Sequence, residues 1–223
     1  TLGDCFNHSL IDIAWPNRLQ SLTFGRDFNQ SLEGVTLPNS LESLTFGDRF
    51  NRVLEQAWPK NLQSLAFGDY FDCSLEHTTL PSSIQTLTFG DSFNQSLARV
   101  TLPNKLRILT FGFAFNQSLV GTILPSSLKR LTFGKNFKQS LKSLHLPSML
   151  ECLTFGDYYN KSLEDVSLPE SLQRLTFGDC FSQGLDHIAL PKNLQSLTVG
   201  HQFNHGLILP NHLKNLTFCH QFN

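Results

Sequence analysis

The stretch TFGDSFNQSL, residues 88–97, decides how this chain is read, because ten further near-copies of it occur along the 223 residues. The prolines set the period. They stand at positions 16, 38, 59, 81, 103, 125, 147, 169, 191 and 210, 22 residues apart except for one step of 21 and a last step of 19. Each follows Leu or Trp, as in Leu37-Pro38 and Trp15-Pro16. The consensus is L-P-x-S-L-x-x-L-T-F-G-D-x-F-N-Q-S-L-x-x-V-T. It accounts for 19 of the 20 phenylalanines, in one column before the glycine and a second before the asparagine, with Tyr159 filling the gap in the second. Only Phe113 stands outside both columns.

A strict period of this length means stacked supersecondary units, because one unit cannot bury its apolar face alone. The segment S-L-x-x-L-T-F predicts a short strand, with residues such as Leu44 and Phe46 inward and Ser43 and Thr45 outward. Equal positions of successive turns then lie about 4.8 Å apart in a parallel sheet. The V-T-L-P segment is expected to be extended, inserting Val35 and Leu37. The glycine after Phe suits a tight turn or a positive φ. Proline fixes φ and removes a donor, so it belongs outside the ladder. No ten-residue stretch has helical periodicity free of such breakers. The expected fold is mainly β: a solenoid of about ten turns with one continuous parallel sheet and little or no helix, forming a single domain over 1–223 with no visible caps.

The pattern resembles the leucine-rich repeats, with L-x-x-L-x-F where those have L-x-x-L-x-L. More closely it is similar to the FNIP, or FGxxFN-motif, repeat family, through Phe46-Gly47-Asp48-Arg49-Phe50-Asn51 and Phe89-Gly90-Asp91-Ser92-Phe93-Asn94-Gln95. Departures are local: Asp72, Lys138 and Ser182 replace the motif Asn, Val199 the first Phe, and Cys219 the last Gly. The resemblance implies a right-handed solenoid used for protein binding. Some members carry an F-box, and no such segment is visible here.

Five of the column asparagines sit in N-x-S sequons (7, 29, 94, 116 and 160). A glycan on every rung is incompatible with stacking, so the reading is a structural ladder at Asn29, Asn51, Asn94, Asn116, Asn160 and Asn204. Its buried amides are expected to satisfy backbone groups of the turn. Five cysteines in separate repeats (5, 73, 152, 180 and 219) suggest free thiols. The N-terminus has no signal-peptide pattern and no apolar run reaches 18 residues. Together these point to a cytoplasmic protein.

No catalytic constellation stands out, so an enzyme is not expected, nor a cofactor. The aspartates at 4, 48, 69, 91, 157 and 179 follow the glycine. They read as Asx-type turn caps rather than calcium ligands, since Arg26, Phe113, Lys135 and His201 interrupt them. His201 and His220 occupy equal positions and would stack, but surface filler is the better reading than a metal site. An ice-binding role for the Thr column is weakened by Arg130 and Arg174 in the neighbouring column.

The net charge of -1 hides a segregation. Ser92 to Leu150 contains no Asp or Glu and eight basic residues: Arg99, Lys105, Arg107, Lys129, Arg130, Lys135, Lys138 and Lys142. Ile108, Phe113 and Ala114 are apolar there at positions that are polar elsewhere. An apolar anchor ringed by Arg and Lys is the composition of an interface centre. The candidate partner-binding residues are therefore Arg107, Ile108, Phe113, Lys129, Arg130 and Lys135. The function read from these is a non-catalytic protein-interaction scaffold facing an acidic protein surface. The alternative is a homo-oligomerising structural repeat, a homodimer being the simplest form. Nucleic acid is disfavoured for want of exposed stacking aromatics among the basic residues, and no membrane partner is implied.

Overall fold

The computed structural model describes residues 1–54 and 58–218, and ten short strands among them form one sheet in sequence order. They are β1 (Ser21–Thr23), β2 (Ser43–Thr45), β3 (Ser64–Ala66), β4 (Thr86–Thr88), β5 (Ile108–Thr110), β6 (Arg130–Thr132), β7 (Cys152–Thr154), β8 (Arg174–Thr176), β9 (Ser196–Val199) and β10 (Asn215–Phe218). Every pairing is parallel and in repeat register, for example Leu109↔Leu131 and Arg130↔Cys152. No helix occurs among the described residues.

Local hydrogen bonding shows how one turn sets the next. The proline carbonyl accepts the N–H of the leucine three residues on, as in Leu41 to Pro38 at 3.0 Å, which closes the turn leading into each strand. The residue just before each strand offers one carbonyl to two donors of the following turn: Lys129 and Arg130 both donate to Arg107, each at 2.9 Å. The ladder continues past the strands, with Phe89 N–H donating to Thr110 at 2.9 Å. In several repeats the serine two residues after the proline adds a rung, Ser127 Oγ donating to the Leu106 carbonyl at 2.7 Å.

The core is one apolar cluster running the length of the coil, including Leu44, Phe46, Val35 and Leu37 as the period-two pattern requires. Its spine is a double stack of rings. Within a turn the two aromatics lie face to face with centroids from 3.7 Å (Phe111–Phe115) to 4.0 Å (Phe24–Phe28). Between turns the spacing runs from 5.3 to 5.9 Å in the first column and from 6.0 to 6.2 Å in the second, with rings nearly parallel. Parallel strands sit about 4.8 Å apart. Spacing that widens from strands to first rings to second rings means that the turns fan open away from the sheet. The coil is an arc with its sheet on the inner face.

The motif glycines differ from the expectation of a positive φ. Positive φ occurs at Gly34 and Gly121, outside the motif, and at Asp12 and Ser143. The motif glycines exist for a closer reason: a Cβ on Gly112 would fall inside the contact envelope of the Gly90 carbonyl oxygen, and the same holds from turn to turn. Backbone approaches backbone there, so no side chain fits.

Candidate functional site

The strands are too short to present more than three outward columns. One precedes the strand (Gln85, Arg107, Lys129, Glu151, Gln173), one opens it (Thr86, Ile108, Arg130, Cys152, Arg174) and the third is the Thr column. In-register pairing sets Ile108 beside Arg130, Arg130 beside Cys152, and Cys152 beside Arg174. Arg107 and Lys129 adjoin through their backbone bond. Arg107, Arg130 and Arg174 are exposed, while Ile108 and Cys152 are half-buried. Four of the six candidate binding residues (Arg107, Ile108, Lys129 and Arg130) thus share a patch of two neighbouring turns on the inner face.

Phe113 and Lys135 lie apart from that patch, at the rim where the chain leaves the strands. Phe113 is 46% exposed, with Lys135 Nζ 6.0 Å over its ring. The rim also holds Tyr158, 42% exposed, with Lys138 Nζ 5.1 Å over its ring. Tyr158 was missed from sequence. Its signal was the doubled Tyr158-Tyr159, in which only the second tyrosine falls in an aromatic column. The premise that exposed aromatics are absent among the basic residues is therefore corrected for the rim, though it holds for the strand face.

The basic band is less free than its composition suggests. Arg99 pairs with Glu76 at 2.7 Å, Lys129 with Glu151 at 2.6 Å, Lys135 with Asp157 at 3.1 Å and Lys142 with Asp165 at 2.7 Å. Each partner lies one turn away, across the boundary into the acid-bearing segments. The hydrogen bond from Arg99 holds the Glu76 carboxyl below its ordinary range. The bonds to Asp157 and Asp165 hold the Lys135 and Lys142 ammonium groups above theirs. Exposed pairs of this kind add little to stability, but they occupy the cations. Among the described residues, Arg107, Arg130 and Arg174 make no ion pair.

The asparagine column makes a ladder of a specific kind. Oδ1 of Asn29 accepts the N–H of Asn51 at 3.0 Å, Asn94 that of Asn116 at 2.9 Å, Asn116 that of Lys138 at 2.9 Å, Asn160 that of Ser182 at 3.0 Å, and Asn51 that of Asp72 at 3.0 Å. Asp72 carries the ladder on by accepting from Asn94 at 2.8 Å. The expected burial is corrected: Asn29, Asn94 and Asn116 are half-buried, and Asn51, Asn160 and Asn204 are exposed. The phenylalanine before each asparagine points inward and the asparagine turns outward. Asn204 has no side-chain bond among the described residues, and its next rung, Asn223, lies outside them.

The aspartates do not act as caps of their own turn. They reach across turns, Asp48 toward Arg26 at 4.0 Å, Asp157 to Lys135, and Asp179 to His201 Nδ1 at 2.7 Å. Where three acids follow one another, burial and the charges of Asp48 and Asp91 raise the Asp69 carboxyl above its ordinary value. No group of three metal-ligating side chains occurs among the described residues. His220 and Cys219, and with them the His201–His220 stack, lie outside the described residues. Cys5, Cys73, Cys152 and Cys180 are free thiols. No described helix is long and apolar enough to cross a membrane.

Two apolar clefts open away from the strand face. One of about 450 Å³ lies where the last repeat is shortened, lined by Ile188, Ile208, Leu209 and Pro210; the other, about 360 Å³, is lined by Val100, Leu102, Ile123 and Pro125.

Comparison with solved structures finds the same architecture. The crystal structure of CroV588, described as a novel circular LRR protein, superimposes with a TM-score of 0.90 at 41% identity over 98% of this chain. The chain spans 33% of the length of that protein. YopM from Yersinia enterocolitica WA-314 shares the fold, with a TM-score of 0.60 at 24% identity over 92% of this chain and 42% of its own. No curated protein matches. Folds of this leucine-rich kind commonly serve as protein-interaction scaffolds and are typically not enzymes. The FNIP Repeat family model matches residues 6–49, 28–58, 50–92, 74–114, 115–158 and 159–202. With matches running through most of its length, the chain belongs to the FNIP repeat family.

Proposed function

We propose that this chain is a non-catalytic scaffold that binds a protein partner on the inner face of its arc, around β5 and β6. One observation carries the reading. The inward columns hold Leu and Phe with few exceptions, whereas the column opening the strands runs Ser, Ser, Ser, Thr from β1 to β4 and then changes to Ile108, Arg130, Cys152 and Arg174. A structural requirement acts on inward positions. A change confined to outward positions of adjacent turns is what a binding surface produces. Ile108 supplies an apolar seat, Arg107 and Arg130 flank it, and exposed Phe113 extends the patch to the rim. Buried aromatic or aliphatic anchors beside arginines carry most of the energy of typical interfaces. The non-catalytic part of the reading rests on the repeat fold, which typically serves as a scaffold.

The test begins with a photocrosslinking group at Arg107 in cell extract. The captured protein is identified and purified, and its Kd is measured against the chain and its variants. Ile108→Asp and Phe113→Ser are each expected to weaken binding by about tenfold or more. Unchanged affinity for both, with the fold intact by circular dichroism, refutes the placement of the site.

A further inference from the structure

We infer that the inner face is built to receive an extended acidic segment, rich in Asp and Glu, that runs across the strands with its carboxylates on Arg107, Arg130 and Arg174. The inference rests on the scaffold reading above and names the partner's chemistry. Its first support is a division among the cations. Lys129, Lys135, Lys142 and Arg99 each hold a carboxylate of this chain. Arg26 and Arg49 reach Asp48 and Asp27. The three arginines on the strand face make no ion pair among the described residues, and the one acid within the patch, Glu151, already accepts from Lys129. Other described cations, Lys105 and Lys138 among them, also make no ion pair, but these three are guanidiniums gathered on the strand face.

The second support is geometry. Arg130 and Arg174 open β6 and β8, two strand spacings apart, roughly 10 Å. Arg107 adjoins β6 from the other side. Arg130 and Arg174 therefore lie along a line perpendicular to the strands, with Arg107 one residue position to its side. An extended peptide laid along that line shows one face every second residue, roughly 6.8 Å apart. Long arginine side chains bridge the difference between the two spacings. The guanidinium fork engages a carboxylate through two parallel bonds, which a lysine cannot do. Placement on the inner side of an arc focuses the field of the three charges into one trough. Ile108, set among them, gives an apolar side chain of the segment a place to sit. Among the described residues the strand face carries no exposed aromatic ring on which a base could stack, which favours a peptide over a nucleic acid.

The probe is a fluorescein-labelled peptide of eight glutamates interrupted by one leucine, followed by anisotropy on the whole chain at low salt. Arg130→Ala and Arg174→Ala are each expected to raise Kd about tenfold, and Arg130→Lys to recover only part of the loss. Lys142→Ala removes a cation already engaged and is expected to change Kd by less than about twofold. Equal losses for the lysine and arginine variants overturn the inference, because binding is then diffuse electrostatics. Tighter binding of a single-stranded oligonucleotide of equal charge overturns it in favour of nucleic acid. If the acidic peptide fails to bind while Ile108→Asp still releases the crosslinked partner, the acidic occupant is wrong and the scaffold reading stands. If neither effect is seen, both fall.

Discussion

Replacing Tyr159 with Phe is expected to stabilise the protein, although most core substitutions do the opposite. Tyr159 is fully buried in the second aromatic column, between Phe137 at 6.0 Å and Phe181 at 6.2 Å, and 3.9 Å from Phe155. Its hydroxyl is enclosed and has no hydrogen-bond partner among the described residues. An unsatisfied buried hydroxyl costs about 1–3 kcal/mol. Phenylalanine keeps all three ring contacts and loses only the oxygen. The small void left behind costs about 0.3 kcal/mol, at roughly 24 cal/mol per Å³. The net gain is about 0.7–2.7 kcal/mol, which at this chain length raises Tm by about 1–11 °C. The reverse change one turn away, Phe181→Tyr, creates a second orphan and is expected to cost about 1–3 kcal/mol. The pH dependence supplies a second readout. Burial raises the Tyr159 phenol far above its ordinary value. A group whose folded pKa is raised favours the folded state below its unfolded pKa, about 10, and loses that contribution as pH climbs toward the folded value. The parent therefore weakens faster than Tyr159→Phe above about pH 10, and the gap in Tm between them widens there. Scanning calorimetry at neutral and alkaline pH measures both. A fall in Tm on Tyr159→Phe at neutral pH refutes the reasoning, since it would mean that a buried water or a shifted backbone group satisfies the hydroxyl.

Gly112→Ala forces a Cβ against the Gly90 backbone carbonyl; with backbone on both sides unable to yield, a loss of about 3 kcal/mol is expected by chemical denaturation. Asn116→Ala removes the acceptor of the Lys138 N–H and of Gln139 Nε2. It should cost about 1 kcal/mol and speed hydrogen exchange locally at Lys138, the amide side chain being only half-buried. Lys129→Ala frees Glu151 from its ion pair; it is expected to change stability by less than about 1 kcal/mol and to weaken acidic-peptide binding by adding an unmatched carboxylate to the patch.

The scaffold was legible because each buried position recurs. Leucine and phenylalanine at fixed offsets predict the strands, the register and the stacked rings without reference to distant contacts, and the strand residues Ser43–Thr45 lie where alternation puts them. What sequence missed was geometry between turns at one height. Glycine conservatively suggested a φ requirement, but the constraint is the approach of two backbones, which no single repeat reveals. Phenylalanine before asparagine suggested a buried amide, but a residue's neighbour in the chain turns the opposite way at this bend. The charge count gave a basic band of eight cations, yet four of them are engaged by acids one turn away, 22 or 23 residues distant in the chain. Reading charge along the chain overstated the free cations. Reading it along the columns reduces the strand-face patch to three arginines and brings in Arg174, which the linear band excluded.

That difference bears on how a repeat protein acquires specificity. Every outward position of a parallel stack has a neighbour of the same index above and below, so a single substitution alters a column rather than an isolated spot. A lysine placed beside an acid of the next turn is absorbed into the scaffold as an inter-turn bond. An arginine flanked by Ile108, Cys152 or Ser196, as Arg130 and Arg174 are, has no carboxylate beside it in its column. Free charge on this surface is therefore determined by the residue one repeat away as much as by the charged residue itself. Cys152→Asp tests this directly: one carboxylate between Arg130 and Arg174 should occupy both guanidiniums and abolish acidic-peptide binding while leaving the rings, the glycine contacts and the asparagine ladder untouched. Retained binding in a folded Cys152→Asp protein would show that the arginines do not act through this column.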